Sequence, residues 1–290
     1  TLTAGLQKHY FGDIYSWDYT HPDKALVDDR GVCASADYGV TLNGFLPAGL
    51  GELQLGLYNG EGYKYAGKYV NTSPELLANL RLTPPLPFFG FMLGASVLSN
   101  PSDFSLYKND RKGRITEGTN LFYMNADTAN TDRLAIAPVA RIALGTFSIN
   151  GTIIQYGYTR KFSYYTINRD SLNQVTDSAL VTSTRDYRMS GFDVMPLLTL
   201  AGRRVELYVR FSQWLREDKS GDSFATDKSA SFTRYGLGMN YHFIRRAKGK
   251  PGLELQLAWS REQTQVEDAK PKDAIFAQVR FEWNTILKEL

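Results

Sequence analysis

The sequence predicts an all-β fold, an antiparallel transmembrane β-barrel of about twelve strands. Three observations predict it: apolar and polar residues alternate at period two, long polar connections alternate with short ones, and no apolar run could cross a membrane as a helix. The longest apolar stretch, Leu86 to Leu98, is broken by Pro87, Gly90 and Gly94, whereas a spanning helix needs about 20 apolar residues. The mean hydropathy of −0.32 does not argue against a membrane, because barrel strands average an apolar and a polar face to near neutrality. Aromatic residues make up 13% of the 290 residues, and 18 of them are Tyr, as the interface girdles of a barrel require.

Strands are expected at 1–7, 34–45, 51–59, 75–83, 88–98, 132–144, 146–159, 188–198, 204–212, 234–243, 253–260 and 274–283. The alternation is clearest late in the chain. Tyr235, Leu237, Met239, Tyr241 and Phe243 share one face, with Arg234, Gly236, Gly238, Asn240 and His242 on the other. Leu253, Leu255, Leu257 and Trp259 oppose Glu254, Gln256 and Ser260, and Ile275, Val279 and Phe281 oppose Gln278, Arg280 and Glu282. Earlier, Phe89, Phe91, Leu93, Ala95 and Val97 form an apolar face backed by Gly90, Gly94 and Ser96. In lipid every backbone polar group must be paired internally, so such a sheet is expected to close, apolar outside and polar inside. Pro138 and Pro196 fall inside strands, where each removes a ladder hydrogen bond, and a bulge or strand end is expected at each.

Five connections are short, at Phe45 to Leu50, Pro84 to Pro87, Gly145–Thr146, Thr199 to Arg204 and Ile244 to Gly252. Six are long and polar, at 8–33, 60–74, 99–131, 160–187, 213–233 and 261–273. Their strict alternation puts tight turns on the periplasmic side and long loops outside. Residues 1–290 read as one barrel domain, ending in a short periplasmic tail at 284–290. Strand-end aromatics Tyr58, Phe88, Phe89, Tyr156, Tyr158, Trp214, Tyr241, Phe243, Trp259 and Trp283 are expected in the interface girdles. The first long loop is unusually aromatic, through Tyr10, Phe11, Tyr15, Trp17 and Tyr19, and could pack on a partner or on its neighbours.

A net charge of +3 gives no basic field for nucleic acid. Cys33 is the single cysteine, so no internal disulfide can form, and it reads as a small residue near a strand end. The three histidines, at 9, 21 and 242, show no Ser at the spacing of a barrel phospholipase, and no metal cluster or phosphate loop is spelled out. The expectation is therefore a chain that is not an enzyme and holds no cofactor or metal.

The expected inward face carries seven bases, Arg81, Arg133, Arg141, Arg160, Arg210, Arg234 and Arg280, against five acids, Asp37, Glu52, Glu206, Glu254 and Glu282. Arginine presents a fixed fork of donors suited to oxyanions, so these residues are candidates for an anion-facing wall. Cross-strand ion pairs that merely stiffen the wall are the competing reading. On the polar-wall reading, Arg141, Arg210 and Arg280 are expected to tolerate Gln without loss of the fold. Loop 99–131 carries Lys108, Arg111, Lys112 and Arg114 and is the candidate constriction loop.

A set of phrases carries a family resemblance: Leu-Thr-Ala-Gly-Leu-Gln at 2–7, Ser-Ala-Asp-Tyr-Gly-Val-Thr-Leu-Asn-Gly at 35–44, Leu-Gly-Leu-Tyr-Asn-Gly-Glu-Gly at 55–62 and Leu-Ala-Asn-Leu-Arg-Leu-Thr-Pro at 77–84. In this order they resemble the phosphate-selective porin O/P-like family of outer-membrane porins. The resemblance implies up to 16 strands, with further strands before these phrases; only Arg81 lies on a matched phrase. Together these readings make the chain a bacterial outer-membrane porin for small hydrophilic solutes with a mild anion preference. Its expected partners are membrane lipid and lipopolysaccharide, small anions, and other copies or surface-assembly components. The alternative is a non-conducting barrel that anchors a surface assembly.

Overall fold

In the computed structural model, the described residues are 1–13, 24–60, 74–105, 114–117, 120–124, 129–169, 175–220, 223–244 and 252–282. They form one antiparallel sheet of fifteen strands. These are β1 (Leu2–Lys8), β2 (Ala36–Leu46), β3 (Gly51–Tyr58), β4 (Glu75–Leu82), β5 (Gly90–Ser105), β6 (Arg114–Glu117), β7 (Asn120–Met124) and β8 (Ala129–Leu144). They continue with β9 (Phe147–Arg169), β10 (Val175–Leu200), β11 (Val205–Ser220), β12 (Ser223–Thr226), β13 (Phe232–Ile244), β14 (Gly252–Thr264) and β15 (Lys272–Glu282). A single helical turn, α1 (Leu26–Asp29), lies between β1 and β2. Twelve strands follow one another in chain order along the sheet, while β6, β7 and β12 are side branches. All twelve expected strands are present.

Facing follows the period-two pattern. Leu53, Leu55, Leu57, Leu93, Val97, Leu237, Leu257, Val279 and Phe281 are exposed on the outer surface. Their sequence neighbours Gln54, Ser96 and Gln256 are buried inside, as is Asn240 on the inward face of β13. An exposed apolar belt of this size has no place in water and defines a lipid-facing surface. The wall inside is wired by polar groups: Gln54 accepts from Asn79 at 2.7 Å, and Ser96 donates to Asn79 at 2.9 Å. Where β13 carries Gly238, the Tyr208 ring of β11 lies across it, in the space a Cβ would occupy, so a glycine in this strand makes room for a neighbour's aromatic ring.

Five expectations are corrected. First, the sheet is not closed: β1 and β15 are its two edges and share no ladder among the described residues. Hairpin turns fix only sequential pairs, and no turn joins the first strand to the last. Second, Pro138 and Pro196 interrupt nothing but one ladder each. The β8–β9 register is the same on both sides of Pro138, as is β10–β11 about Pro196, and each proline residue is paired on its other side. A missing N–H affects only the neighbour toward which it would point. Third, 160–187 is largely strand, because β9 and β10 continue far past the roughly 9–11 residues of a crossing into one long hairpin. Fourth, 213–233 is partly strand, since β11 runs to Ser220 and pairs with β12. Fifth, Tyr58, Tyr156 and Trp214 are buried inside, not placed in a girdle. Strand parity decides their face, since each flanks an outward residue. Phe88 and Phe243 are exposed, as a girdle requires. Trp283 and the tail 284–290 lie outside the described residues.

Candidate functional site

The described parts of the first connection, 9–13 and 24–35, pack into the lumen. Phe11, Leu26, Val27 and Val32 are fully buried and form one cluster with Ala135, Ala137, Ile154, Trp214 and Phe232 of the wall. The β8 wall residues facing this insert are small, Ala135, Ala137 and Val139, which leaves a channel wide enough to accept it. Gly12, at φ +58°, turns the insert where it meets Ala137 and Thr152, a backbone region glycine enters without Cβ strain. Its N–H donates to Ser96 Oγ at 3.0 Å and its carbonyl accepts from Arg81 Nη2 at 2.9 Å.

A four-membered ionic cluster holds the far end. Arg234 of β13 contacts Asp29 at 2.7 Å and Glu262 of β14 at 2.7 Å, while Arg30 reaches Asp29 at 3.0 Å and Glu262 at 2.6 Å. The Arg30 guanidinium also lies 3.8 Å from the centroid of the Phe232 ring. Burial opposes ionisation of Asp29, but the Arg234 and Arg30 charges outweigh it and hold its carboxyl below the usual carboxylate range. The side chains of the candidate constriction loop 99–131 lie largely outside the described residues. Lys108, Arg111 and Lys112 lie outside the described residues, and Arg114 is described only by its backbone in β6.

The inward arginines divide. Arg210 is buried and grips Asp193 with Nε and Nη2, at 3.1 and 2.8 Å, while Ser212 donates to the same carboxylate. Arg81 and Arg234 hold the insert, and Arg133 donates to the Gly60 carbonyl at 3.4 Å. The Arg160 side chain lies outside the described residues. Arg141 and Arg280 line a vestibule of about 1090 Å³ at the short-turn end. Its charged lining also includes Arg81, Arg203, Asp13, Glu52, Glu206, Glu254 and His242. Glu254 lies 3.0 Å from His242 and 3.8 Å from Arg280, and Glu206 accepts from Asn240. Arg141 and Arg203 make no ion pair among the described residues, and neither does Glu52. Of the remaining acids, Asp37 accepts the Gly60 N–H at 2.7 Å, and the side chain of Glu282 is not among those described.

Asp13 sits where the insert meets the vestibule. Burial, reinforced by the charge of Asp193 and opposed by Arg210, pushes its carboxyl up to about 7. Because this lies above the ordinary 3.8, the folded chain holds the proton more tightly than the unfolded one. Stability from this group is full below about pH 4 and is lost as pH rises to about 7. Residues 9–13 are therefore expected to exchange amide hydrogens faster at pH 8 than at pH 5, relative to an unstructured reference. In Asp13→Asn that difference disappears; a variant that keeps it would show that another group titrates.

The sequence reading overlooked one further group. At the mouth of the insert, His9, Cys33 and Glu75 meet, each nearly fully buried. His9 Nδ1 is 2.6 Å from Cys33 Sγ, and Nε2 is 3.6 Å from Glu75 Oε1. Burial lowers the His9 pKa to about 4 against the opposing charge of Asp37, so the ring is neutral near pH 7. Asp193, Asp29 and Glu262 were also missed. Asp193 was findable, because strand parity places it inward beside the Arg210 strand.

No family model and no curated protein matches the chain. Among solved structures it is similar to OmpTdeltaL8, a loop L8 deletion mutant of OmpT, an outer membrane protein of Vibrio cholerae. The identity is 14% and the TM-score 0.56, over 97% of this chain and 75% of that one. The likeness shows the fold, that of an outer-membrane β-barrel, and with the apolar belt it locates the chain in a bacterial outer membrane. It also corrects the exclusion of enzymatic function. That exclusion rested on absent motifs alone; a fold shared with OmpT gives it no support, and the Cys33–His9–Glu75 contact is a constellation that motif spacing did not detect. The exclusion does not stand.

Proposed function

We propose that the protein is an outer-membrane diffusion channel for small hydrophilic solutes, constricted by its own first loop and mildly selective for anions. The observation that carries this is the charged vestibule of about 1090 Å³ opening onto the seated insert. Within it, Arg141 and Arg203 lack ion pairs among the described residues; the acids that oppose them are Glu52, in the same condition, and Glu206, whose ionic partner His242 is charged only when protonated. Fixed positive charge on a low-dielectric wall raises local anion concentration and excludes cations. The phrases at 2–7, 35–44, 55–62 and 77–84, which resemble those of the phosphate-selective porin O/P-like family, are in keeping with this reading, although no family model matches the chain.

The test is a reversal potential across a planar bilayer under a KCl gradient. Chloride preference is expected. It is strongest at low salt, since the Debye length falls from about 10 Å at 0.1 M to about 3 Å at 1 M. Arg141→Gln together with Arg203→Gln is expected to abolish it, whereas a cation preference in the native protein would rule the anion reading out. A second reading, a non-conducting barrel that anchors a surface assembly, is favoured by the full burial of Phe11, Leu26, Val27 and Val32. Its signature is no conductance from correctly inserted protein, with or without the insert.

A further inference from the structure

We propose that His9, Cys33 and Glu75 form a binding site for a zinc-class divalent metal ion that clamps both ends of the inward loop to the barrel wall. His9 is the first residue after β1, Cys33 lies three residues before β2, and Glu75 opens β4. The loop thus leaves and returns to the sheet through two of the three ligands, and the third belongs to the wall.

The placement of the donors is what a metal site requires. One imidazole nitrogen, the thiol sulfur and a carboxylate oxygen all lie within 4.8 Å of one another. Bonds of about 2.0–2.3 Å in a tetrahedral zinc site set ligand separations of roughly 3.3–3.6 Å. The His9–Glu75 distance of 3.6 Å at Nε2 matches such an edge, while Cys33 Sγ faces the other ring nitrogen, Nδ1, at 2.6 Å, so binding requires the imidazole to turn until one nitrogen faces both partners. An independent observation comes from the histidine itself. It is only 1% exposed, yet among the described residues Nε2 has no hydrogen-bond partner, and Glu75 Oε1 lies 3.6 Å from it. A buried polar atom without a partner costs about 1–3 kcal/mol, and a cation between imidazole and carboxylate satisfies it.

The donor set selects the class of ion. Imidazole, thiolate and carboxylate together suit zinc and its neighbours, whereas calcium and magnesium take oxygen donors alone. Three protein ligands leave a fourth position for water. Binding replaces the thiol proton with the metal, and the proton is released to solvent. The same three groups in this order are also the wiring of an activated thiol nucleophile. A nucleophile must reach its substrate, however, and none of the three lines the vestibule while Cys33 is 3% exposed. The metal clamp does not depend on whether the pore conducts.

The test uses the full chain, refolded in detergent and freed of metal by a chelator, titrated with Co(II). One equivalent is expected to bind with a thiolate-to-cobalt charge-transfer band, and Zn(II) is expected to displace it. The band is lost in Cys33→Ser, and stoichiometric binding is lost in His9→Ala and weakened in Glu75→Gln. Zn(II) is also expected to slow proteolysis within residues 24–35 of the native protein and not of Cys33→Ser. Should a variant fail to refold, the native titration still decides, because Cys33 is the single cysteine and the band requires a thiolate. No band at saturating Co(II), or a band of unchanged affinity in His9→Ala, overturns the site.

Discussion

Arg210→Met is expected to destabilise the barrel by about 3–5 kcal/mol, the cost of leaving one member of a buried ion pair alone. Arg210 is 2% exposed and Asp193 3%, and the guanidinium meets the carboxylate through two nitrogens. Removing the cation leaves Asp193, among the described residues, with the Ser212 hydroxyl at 2.9 Å and with Asp13 nearby, whose own carboxyl already responds to the Asp193 charge. Two acids then face each other without their shared counterion. The measurement is the urea midpoint of the detergent- or lipid-folded protein, followed by tryptophan fluorescence. The double replacement Arg210→Met with Asp193→Leu is expected to recover most of the loss, because a well-packed apolar pair often matches a buried ionic one. A single variant as stable as the native protein would mean that the pair is hydrated. This outcome also revises the expectation that Arg210 could be exchanged for Gln at no cost: the residue is a strut, while Arg141, exposed in the vestibule, fits the tolerant description.

Replacing residues 10–32 by a short Gly/Ser linker is expected to raise single-channel conductance several-fold while leaving the sheet intact. The insert contributes Phe11, Leu26, Val27 and Val32 to the lumen cluster, and removing it turns an apolar-packed cross-section into open space lined by Ala135, Ala137, Thr152 and Ser96. Some stability is lost with the buried contacts and with the Asp29–Arg234 and Arg30–Glu262 pairs. The ladders from β2 to β15 do not pass through the insert, so strand content by circular dichroism should hold. A smaller perturbation, Arg234→Gln, severs the ionic anchor and is expected to raise the frequency of open events without changing their full size. If deletion leaves conductance as it was, the first loop is not what limits flow. If neither form conducts, the anchor reading gains.

Strand positions and facing were legible because they rest on period two, a local property. Leu237 outside and Asn240 inside can be read from their neighbours alone, and the structure agrees. The ends of β9 and β10 were not legible. Past residue 159 the apolar residues Phe162, Tyr164, Tyr165 and Ile167 fall at both even and odd positions, so strict alternation vanishes while the ladder continues. The roles of the six arginines whose side chains are described were not legible, because a role depends on a partner. Arg234 and Asp29 are 205 residues apart, and Arg30 and Glu262 are 232 apart; no spacing rule connects them.

The sequence by itself determined a sheet of about a dozen strands, its lipid-facing and inward faces, and the alternation of short turns with long connections. All of these follow from side-chain alternation and turn chemistry within a few residues. Only the tertiary structure decided which loop enters the lumen, which arginines are struts and which line the vestibule, that His9, Cys33 and Glu75 meet, and that β1 and β15 remain edges. Those outcomes depend on distances across the barrel, where small wall residues such as Ala135 and Ala137 leave space and a distant segment of matching shape and charge fills it.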